Sequence, residues 1–193
     1  MKSNIRQLVY GALCVALSFA LSFVKLFSMP MGGSVTLCSM LPLMLYAYRY
    51  GLKSGLLAGL AYGLLQLVQK PEIVHWSQML LDYPAAFAAL GLAGLWKLPD
   101  RVDENGLVRG PDPDAPSHYW RLPCAILTGG VGRLLFHVIT GAVFFGAYAP
   151  AGQNAWMYSL LYNGGYLGAD VALCVVVALA TSLHKLFLRA TQD

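Results

Sequence analysis

The chain has 193 residues, of which 58% are hydrophobic and only 11% are charged, and its net charge is +4. A soluble domain is typically about 45–50% apolar and about 25% charged, so this composition excludes an ordinary soluble protein and, equally, a disordered one. The 20 glycines follow no period and the four cysteines are scattered, which excludes a collagen-like chain and a disulfide-rich scaffold. The length suits one small helical membrane domain.

The apolar residues form six runs in chain order. They extend over 7–28, 35–50, 52–69, 76–96, 122–148 and 157–188. Since a membrane-spanning helix needs about 20 apolar residues, we interpret the runs as six transmembrane helices in an all-α fold. The first run is too long for a cleaved signal peptide. An alternative with five spans would treat residues 35–69 as one hairpin-like element.

Basic residues mark one side of this bundle. Only Lys25 and Lys70 fall on the opposite side, whereas ten basic residues flank the runs on the first side: Lys2, Arg6, Arg49, Lys53, Lys97, Arg101, Arg109, Arg121, Lys185 and Arg189. Cytoplasmic loops of membrane proteins carry an excess of Lys and Arg. Both termini and the polar loop of residues 98–120 are therefore predicted to be cytoplasmic, and residues 1–193 to form one transmembrane domain.

Motifs of soluble enzymes do not occur. Cys14, Cys38, Cys124 and Cys174 lie in or beside apolar runs without a C-x-x-C pair, and a buried cysteine behaves as a small apolar residue. The sequence contains no P-loop, no Rossmann glycine pattern and no H-E-x-x-H motif. We therefore expect no metal, no cofactor and no ATPase within the chain. Basic residues that sit at the ends of apolar runs also argue against a nucleic-acid partner.

Four charged or titratable side chains lie well inside the apolar runs, away from the run ends: Asp82, Arg133, His137 and Asp170. A charged residue at the centre of a membrane helix costs about 2.5–3.5 kcal/mol on insertion scales, so each is a functional candidate. Asp82 precedes Tyr83 and Pro84, and proline loosens helical hydrogen bonding. Asp82 is either a counter-ion for a cationic ligand or the partner of Arg133 in a structural ion pair.

The fifth run places two of these residues on one helix face. Arg133 and His137 are four positions apart. His137 either lines a cavity together with Phe145 or hydrogen-bonds another helix. Asp170 is expected to neutralise Arg133 across the contact between the fifth and sixth helices.

Polar and aromatic residues of other runs are predicted to converge on the same region. Asn163 offers an amide that either reads the edge of a heterocycle or bonds another helix. Gly32 and Gly33 permit a close backbone approach, in a lid over a ligand or in an ordinary turn. The residues predicted to meet in the outer half of the bundle are Asp82, His137, Tyr158, Asn163, Tyr62 and Phe145. Aromatic faces attract cations and stack on flat rings, so this set suits a small cationic aromatic ligand.

A stripe of small residues marks the first helix. Ala12, Ala16 and Ala20 are each four positions apart, and such a stripe permits close packing of helices. It either packs inside the bundle, which the spacing alone favours slightly, or docks a partner subunit.

Four segments carry a resemblance to a known family. They are SQMLLDYPAAFAALGLAGL at 77–95, the run from FHVITGAVFF at 136 through YSLLYNGG ending at 165, GGSVTL at 32–37 and YGLKSGLLAGLAYG at 50–63. The sequence resembles the thiamine-specific substrate-binding (S) components of energy-coupling factor transporters, the ThiT or YuaJ-like proteins, over nearly its whole length except the polar loop. The spacing from His137 to an aromatic residue at +8, a tyrosine at +21 and an asparagine at +26 is typical of that family.

The resemblance implies a six-helix, multi-pass protein of the bacterial plasma membrane that captures thiamine from outside and catalyses no reaction. Its implied partners are a transmembrane coupling subunit and two cytoplasmic ATPases, besides membrane lipid. His137, Tyr158 and Asn163 match ligand-binding positions, and Asp82 takes an acidic position that is often glutamate.

The resemblance also implies departures at three aromatic positions. Tyr62 and Phe145 stand where the best-known members have tryptophan, and Gly33 stands where some members have another tryptophan in the loop after helix 1. Compared with those members, one possible aromatic contact to the ligand is therefore absent at Gly33. The stripe Ala12, Ala16 and Ala20 matches the helix-1 motif by which such subunits contact the coupling subunit, which favours a docking role.

Three other functions stay open at this point. The first is an S component for another vitamin or precursor, such as hydroxymethylpyrimidine or riboflavin. The second is a membrane enzyme that uses His137 and Asp82 as acid and base. The third is a structural membrane subunit without a small ligand.

Overall fold

A computed structural model describes residues 2–69, 71–106 and 108–192 of the chain. The fold is mostly helical. In chain order its elements are α1 (Lys2–Ser22), β1 (Lys25–Ser28), β2 (Ser34–Thr36), α2 (Leu41–Tyr50), α3 (Leu52–Gln66), α4 (Trp76–Trp96), β3 (Arg101–Val102), β4 (Val108–Gly110), α5 (His118–Phe144), α6 (Ala155–Ala180) and α7 (Leu183–Ala190). Lys70, predicted to lie on the outer side, falls outside the described residues.

Four helices are long and apolar enough to cross a membrane, counted over the described residues. They are α1 from Ile5 to Ser22, α4, α5 and α6. The other two predicted spans are shorter, because α2 has 10 residues and α3 has 15, whereas a span needs about 20. Gly51 separates them with a φ of 90°, a conformation that favours glycine. The count of six spans and the cytoplasmic termini remain predictions.

The first apolar run does not stay helical to residue 28, as the sequence predicted. Ser22 donates its hydroxyl to the carbonyl of Phe19 at 2.6 Å, and such local bonds compete with helix propagation. Strand β1 then pairs antiparallel with β2. Pro30–Gly32 forms the turn between them, and Gly32 has a φ of 91°. We call β1, β2 and this turn the first hairpin.

Other predicted boundaries shift as well. α2 begins at Leu41 instead of residue 35, because residues 34–36 form β2. α5 begins at His118 instead of residue 122. The sixth run is two helices, since Ser182 adopts a left-handed φ of 52° between α6 and α7.

Helix α4 changes its winding along its length. It is α-helical over Trp76–Leu80, a π-helix over Leu81–Ala85, α-helical over Ala86–Ala88 and a 3₁₀-helix over Ala89–Trp96. Pro84 lies inside the π segment and has no N–H to donate, which agrees with the loosened pairing expected there. π segments are rare in proteins, and those that do occur often lie at functional sites.

Glycines bring α3 into backbone contact with α4. A Cβ atom on Gly55 would meet Gly91 Cα at 2.9 Å, and one on Gly63 would meet the carbonyl oxygen of Tyr83 at 2.6 Å. Real Cβ atoms do not approach that closely, so the helices pack together only because these positions lack side chains. The contact fixes Tyr62 of α3 beside the π segment of α4, and the buried core continues from there into α2, α5 and α6.

The predicted polar loop lies between α4 and α5 and contains the short antiparallel pair β3–β4. Arg49, which is buried, reaches it from the end of α2. Its guanidinium donates to Asp100 Oδ1 at 3.2 Å and to the carbonyl of Thr191 at 3.1 Å. One buried cation therefore ties α2, the loop and the end of the chain together.

Candidate functional site

A cavity of about 350 Å³ lies between the first hairpin and helices α3, α4, α5 and α6. This volume falls in the usual range for small-molecule sites. All seven residues predicted to bind a ligand line it: Asp82, His137, Tyr158, Asn163, Tyr62, Phe145 and Gly33. The fold thus brings together residues from four helices and a loop, and their part in binding stays a prediction.

Asp82 lies in the π segment of α4 and its side chain is only 12% exposed. Its Oδ1 accepts hydrogen bonds from His137 Nδ1 at 2.9 Å and from the hydroxyl of Thr140. Its Oδ2 accepts one from Gln78 Nε2 at 2.7 Å. Each carboxylate oxygen accepts about two hydrogen bonds. Oδ2 therefore retains an acceptor site for a ligand.

Arg133 has different partners from those expected. Its Nε donates to His137 Nε2 at 3.2 Å, and its guanidinium carbon lies 4.1 Å from the centre of the Phe87 ring. The possible ion pair with Asp82 is not formed directly, because the imidazole of His137 stands between the two groups. Asp82, His137 and Arg133 form one hydrogen-bonded chain across α4 and α5.

The expected pairing of Asp170 with Arg133 is also not a direct ion pair among the described residues. Asp170 is buried, and its Oδ2 accepts a hydrogen bond from the Thr36 hydroxyl at 3.1 Å. The Thr36 hydroxyl also lies 2.7 Å from the Ser39 hydroxyl. Asp170 therefore ties α6 to strand β2 of the first hairpin.

The charges of the cavity do not balance within the described lining. Its carboxylates are Asp82, Asp170 and Glu72, and its basic groups are Lys25 and Arg133. With His137 neutral, the carboxylates outnumber the basic groups by one. A formal excess of one negative charge favours a ligand with one positive charge, because charges interact strongly where water is partly excluded.

Both the nitrogen and the oxygen of the Asn163 side-chain amide form hydrogen bonds within the protein. Nδ2 lies 3.1 Å from the carbonyl of His137 and 3.0 Å from that of Ser159, while Oδ1 accepts from the Tyr166 hydroxyl at 3.0 Å. The interhelical hydrogen bond weighed from the sequence is thus present. Asn163 lines the cavity and also holds the backbone of α5 at His137.

Aromatic rings form much of the remaining wall. Tyr62 meets Phe87 edge to face, with ring centres 4.9 Å apart. Tyr158, Tyr162 and Tyr166 follow one another on α6, with centre separations of 6.2 and 5.9 Å. Phe145 directly follows the last residue of α5 and lines the cavity. These rings offer faces and edges to a flat ligand.

Gly33 lines the cavity from the first hairpin. Its N–H donates to the Tyr162 hydroxyl at 3.3 Å, and the same hydroxyl donates to the carbonyl of Pro30. A Cβ atom on Gly33 would lie 2.8 Å from the Tyr166 ring. Gly33 is thus held against two tyrosines of α6.

The three alanines of α1 lie elsewhere. Ala12, Ala16 and Ala20 are all exposed, so they do not pack inside the bundle, which the spacing alone slightly favoured. They form an exposed strip of small side chains on α1 and are not among the residues that line the cavity.

Several lining residues were not predicted from the sequence. Gln78 and Thr140 bind the carboxylate of Asp82, Tyr166 binds Asn163, and Tyr162 holds the first hairpin. Gln78 precedes Asp82 by one turn and Thr140 follows His137 by three residues, so helical spacing from the ionisable residues was an available signal. Within the described residues, no cluster of three or more His, Cys, Asp or Glu side chains suits a metal ion.

Comparison with known proteins identifies relatives over most of the chain. The thiamine transporter protein family matches residues 8–188. The thiamine transporter ThiT of Bacillus subtilis is 36% identical over 174 residues, which cover 89% of this chain and 87% of that protein. ThiT of Lacticaseibacillus paracasei is 34% identical over 154 residues, covering 77% and 74%.

A solved structure has the same fold. The structure of ThiT from Listeria monocytogenes superimposes with a TM-score of 0.75, covers 97% of this chain and 95% of its own, and is 24% identical. That likeness concerns the fold alone, whereas the family match covers the cavity residues from Gly33 to Asp170. The relatives are membrane transporters and not enzymes. This chain therefore belongs to the thiamine transporter protein family.

Proposed function

We propose that this protein is the thiamine-capturing subunit of an energy-coupling factor transporter. The observation that carries the proposal is the cavity of about 350 Å³, which combines aromatic walls with one more carboxylate than basic groups. Thiamine joins an aminopyrimidine to a thiazolium ring with one positive charge. Aromatic walls suit its two rings and the surplus carboxylate suits its charge. The relatives in Bacillus subtilis and Lacticaseibacillus paracasei carry the name of thiamine transporters.

The polar groups of the cavity suit the two rings of thiamine. In our proposal Asp82 balances the thiazolium charge and its free acceptor site receives a ligand N–H. Tyr62, His137, Phe145 and Tyr158 stack on the rings. Gln66 supports this assignment, because it lines the cavity and its buried Nε2 has no hydrogen-bond partner among the described residues. A buried N–H donor without a partner is stabilised when it donates a hydrogen bond to a heterocycle nitrogen.

The first hairpin suits a role as the cover of the site. It joins α6 through Asp170 and Tyr162 and borders the cavity at Gly32, Gly33 and Thr36. We infer that thiamine enters where this hairpin meets the exposed residue Glu72, and that the hairpin then closes over it.

The proposal includes partners because the chain has no nucleotide-binding motif of its own. The exposed strip Ala12, Ala16 and Ala20 supports docking of the coupling subunit, since small side chains let helices approach closely within a bilayer. Two cytoplasmic ATPases complete the proposed transporter. Their energy would reorient the subunit so that the site opens inward.

A competition experiment tests whether thiamine is the ligand of this site. Purified protein is loaded with radiolabelled thiamine and challenged with thiamine, thiamine monophosphate, hydroxymethylpyrimidine and riboflavin. We expect thiamine to compete at least about 100-fold better than hydroxymethylpyrimidine, because the pyrimidine alone lacks the charge that a buried carboxylate holds. Equal competition by hydroxymethylpyrimidine would contradict the assignment and favour a site for the neutral ring.

A matched pair of alanine substitutions tests the docking strip. Ala16→Trp is expected to abolish thiamine uptake by cells while leaving thiamine binding unchanged, because a bulky ring prevents close helix contact. Ala172→Trp is the control, since Ala172 is an exposed alanine on α6. Normal uptake by the Ala16→Trp variant would remove the strip from the proposed interface.

A further inference from the structure

We propose that Arg133 is a positioning residue that fixes the ring proton of His137 on Nδ1, so that a neutral imidazole faces the cationic ligand. The proposal rests on the thiamine site proposed above and assigns a role to a residue outside its set of ligand contacts. Arg133 lines the same cavity and is half-buried.

The hydrogen-bond chemistry of Arg133 and His137 determines which ring nitrogen of His137 carries the proton. A guanidinium has N–H donors and no acceptor, and it stays protonated in proteins. Arg133 Nε lies 3.2 Å from His137 Nε2. His137 Nε2 must therefore carry a lone pair, and the ring proton of the neutral imidazole then resides on Nδ1.

The other side of the ring agrees with this tautomer. His137 Nδ1 lies 2.9 Å from Asp82 Oδ1, and a carboxylate only accepts hydrogen bonds. The proton on Nδ1 is thus the one donated to Asp82. Each partner selects the same tautomer independently, and the bond that one ring nitrogen makes determines the state of the other.

Arg133 is itself held in one orientation. Its guanidinium carbon lies 4.1 Å from the centre of the Phe87 ring, which is a cation–π distance. Phe87 is in turn packed edge to face against Tyr62. The backbone of α5 is close to α4 here, since a Cβ atom on Gly132 would lie 3.2 Å from the Cβ of Ala89. These contacts favour the orientation in which the Nε donor points at His137.

Two consequences follow for the ligand. Both ring nitrogens of His137 are occupied by protein groups, so the imidazole meets the ligand with its face and not with a hydrogen bond. The ring also stays neutral, so it adds no positive charge beside a thiazolium. Asp82 keeps its full negative charge for the ligand.

A pair of substitutions separates the donor from the bulk of Arg133. Arg133→Gln places an amide nitrogen at the position of Nε and keeps a donor, whereas Arg133→Met places a methyl group there and keeps only the length. The protein is purified in detergent with ¹⁵N-labelled histidine, and the signals of His137 are assigned by their loss in His137→Gln. The ¹⁵N spectra report the tautomer of His137 without any ligand, and calorimetry reports thiamine affinity.

The wild-type protein and Arg133→Gln are expected to show a neutral His137 with its proton on Nδ1 and thiamine affinities within about threefold of each other. Arg133→Met is expected to show Nε2 protonated as well, because Asp82 still holds the proton on Nδ1 while the buried Nε2 lone pair has lost its donor. The resulting imidazolium beside a cationic ligand is expected to weaken thiamine binding about tenfold. An Nε2 proton in the wild-type ring would overturn the proposal. A His137 ring that stays neutral, with a proton on Nδ1 alone, in a folded Arg133→Met variant would also overturn it. Failure of the wild-type protein to bind thiamine with the expected tautomer present would instead contradict the proposed function.

Discussion

The imidazole of His137 on α5 bridges the carboxylate of Asp82 on α4 and the guanidinium of Arg133, at 2.9 and 3.2 Å. Three ionisable groups that would each be costly alone in a membrane are therefore satisfied by one another. The bridge also joins the π segment of α4 to α5. The central charge of the proposed site is thus positioned by the fold before a ligand arrives.

Loss of the Asp82 charge is expected to weaken thiamine binding well over tenfold. Asp82→Asn keeps the shape and one acceptor oxygen for Thr140, so the protein should fold. Calorimetric titration of the purified variant measures the effect. Asp114→Asn is the control, because Asp114 is an exposed loop carboxylate outside the cavity lining. Wild-type affinity in Asp82→Asn would remove Asp82 from the binding site.

Gly59→Leu is expected to unfold or strongly destabilise the protein. A Cβ atom at Gly59 would lie 2.9 Å from Ala88 Cα, which is backbone and has no room to yield. Overpacking of this kind costs about 1–3 kcal/mol or more. Thermal unfolding in detergent measures the change. Gly168→Ala on α6 is the control with no atom within 4 Å, and it should leave the unfolding temperature equal or higher.

Tyr162→Phe is expected to speed thiamine dissociation about two- to tenfold, as the loss of hydrogen bonds to the first hairpin predicts. The hydroxyl accepts from Gly33 N–H and donates to the carbonyl of Pro30. Stopped-flow displacement of bound thiamine measures the rate. Tyr119→Phe removes the hydroxyl of an exposed tyrosine instead and should change nothing. Equal rates in both variants would mean that this hydroxyl does not hold the cover closed.

His184 is expected to make stability fall as the medium is acidified. Burial lowers the pKa of His184, which lies on α7 beyond the four long helices. Its Nδ1 lies 3.3 Å from the carbonyl of Ala178, and its buried Nε2 has no hydrogen-bond partner in the described part of the chain. Lys185 and the neighbouring ring of His118, 5.2 Å away, also face it.

The sign follows from linkage. A histidine with a lowered folded pKa binds its proton more weakly when folded, so protonation favours the unfolded chain. The stabilisation is complete above the ordinary histidine value of about 6.5 and decreases as the pH falls below it. We expect the unfolding temperature to decrease between pH 7.5 and 5.5, and to decrease less in His184→Gln. An equal decrease in the two proteins would assign the pH dependence to other groups.

Four ionisable residues of the cavity could be found from the sequence because each one stands out in an apolar run: Asp82, Arg133, His137 and Asp170. The helix spacing also placed Arg133 and His137 on one face correctly. The partner of Arg133 was predicted wrongly, because sequence spacing gives the face of a helix but not its rotation against a neighbour. Only the packed structure reveals that His137 stands between Asp82 and Arg133.

The first hairpin was hidden in the sequence by its hydrophobicity. Residues 23–28 continue the apolar run of α1 without a charge except Lys25, so composition alone predicted a longer helix. The structure ends α1 at Ser22, where a side-chain hydrogen bond to Phe19 replaces a helical one. The strands are then fixed by contacts with α6, through Thr36 with Asp170 and Gly33 with Tyr162. Such distant contacts have no local sequence signal.

Calorimetric titration of the purified, folded protein with thiamine tests the central claim most directly. We expect one-to-one binding with submicromolar affinity, and no heat when riboflavin is titrated in the same way. No heat with thiamine, from a protein whose folding is verified by a cooperative thermal transition, would contradict it and leave the Asp82–His137–Arg133 chain with a structural role alone.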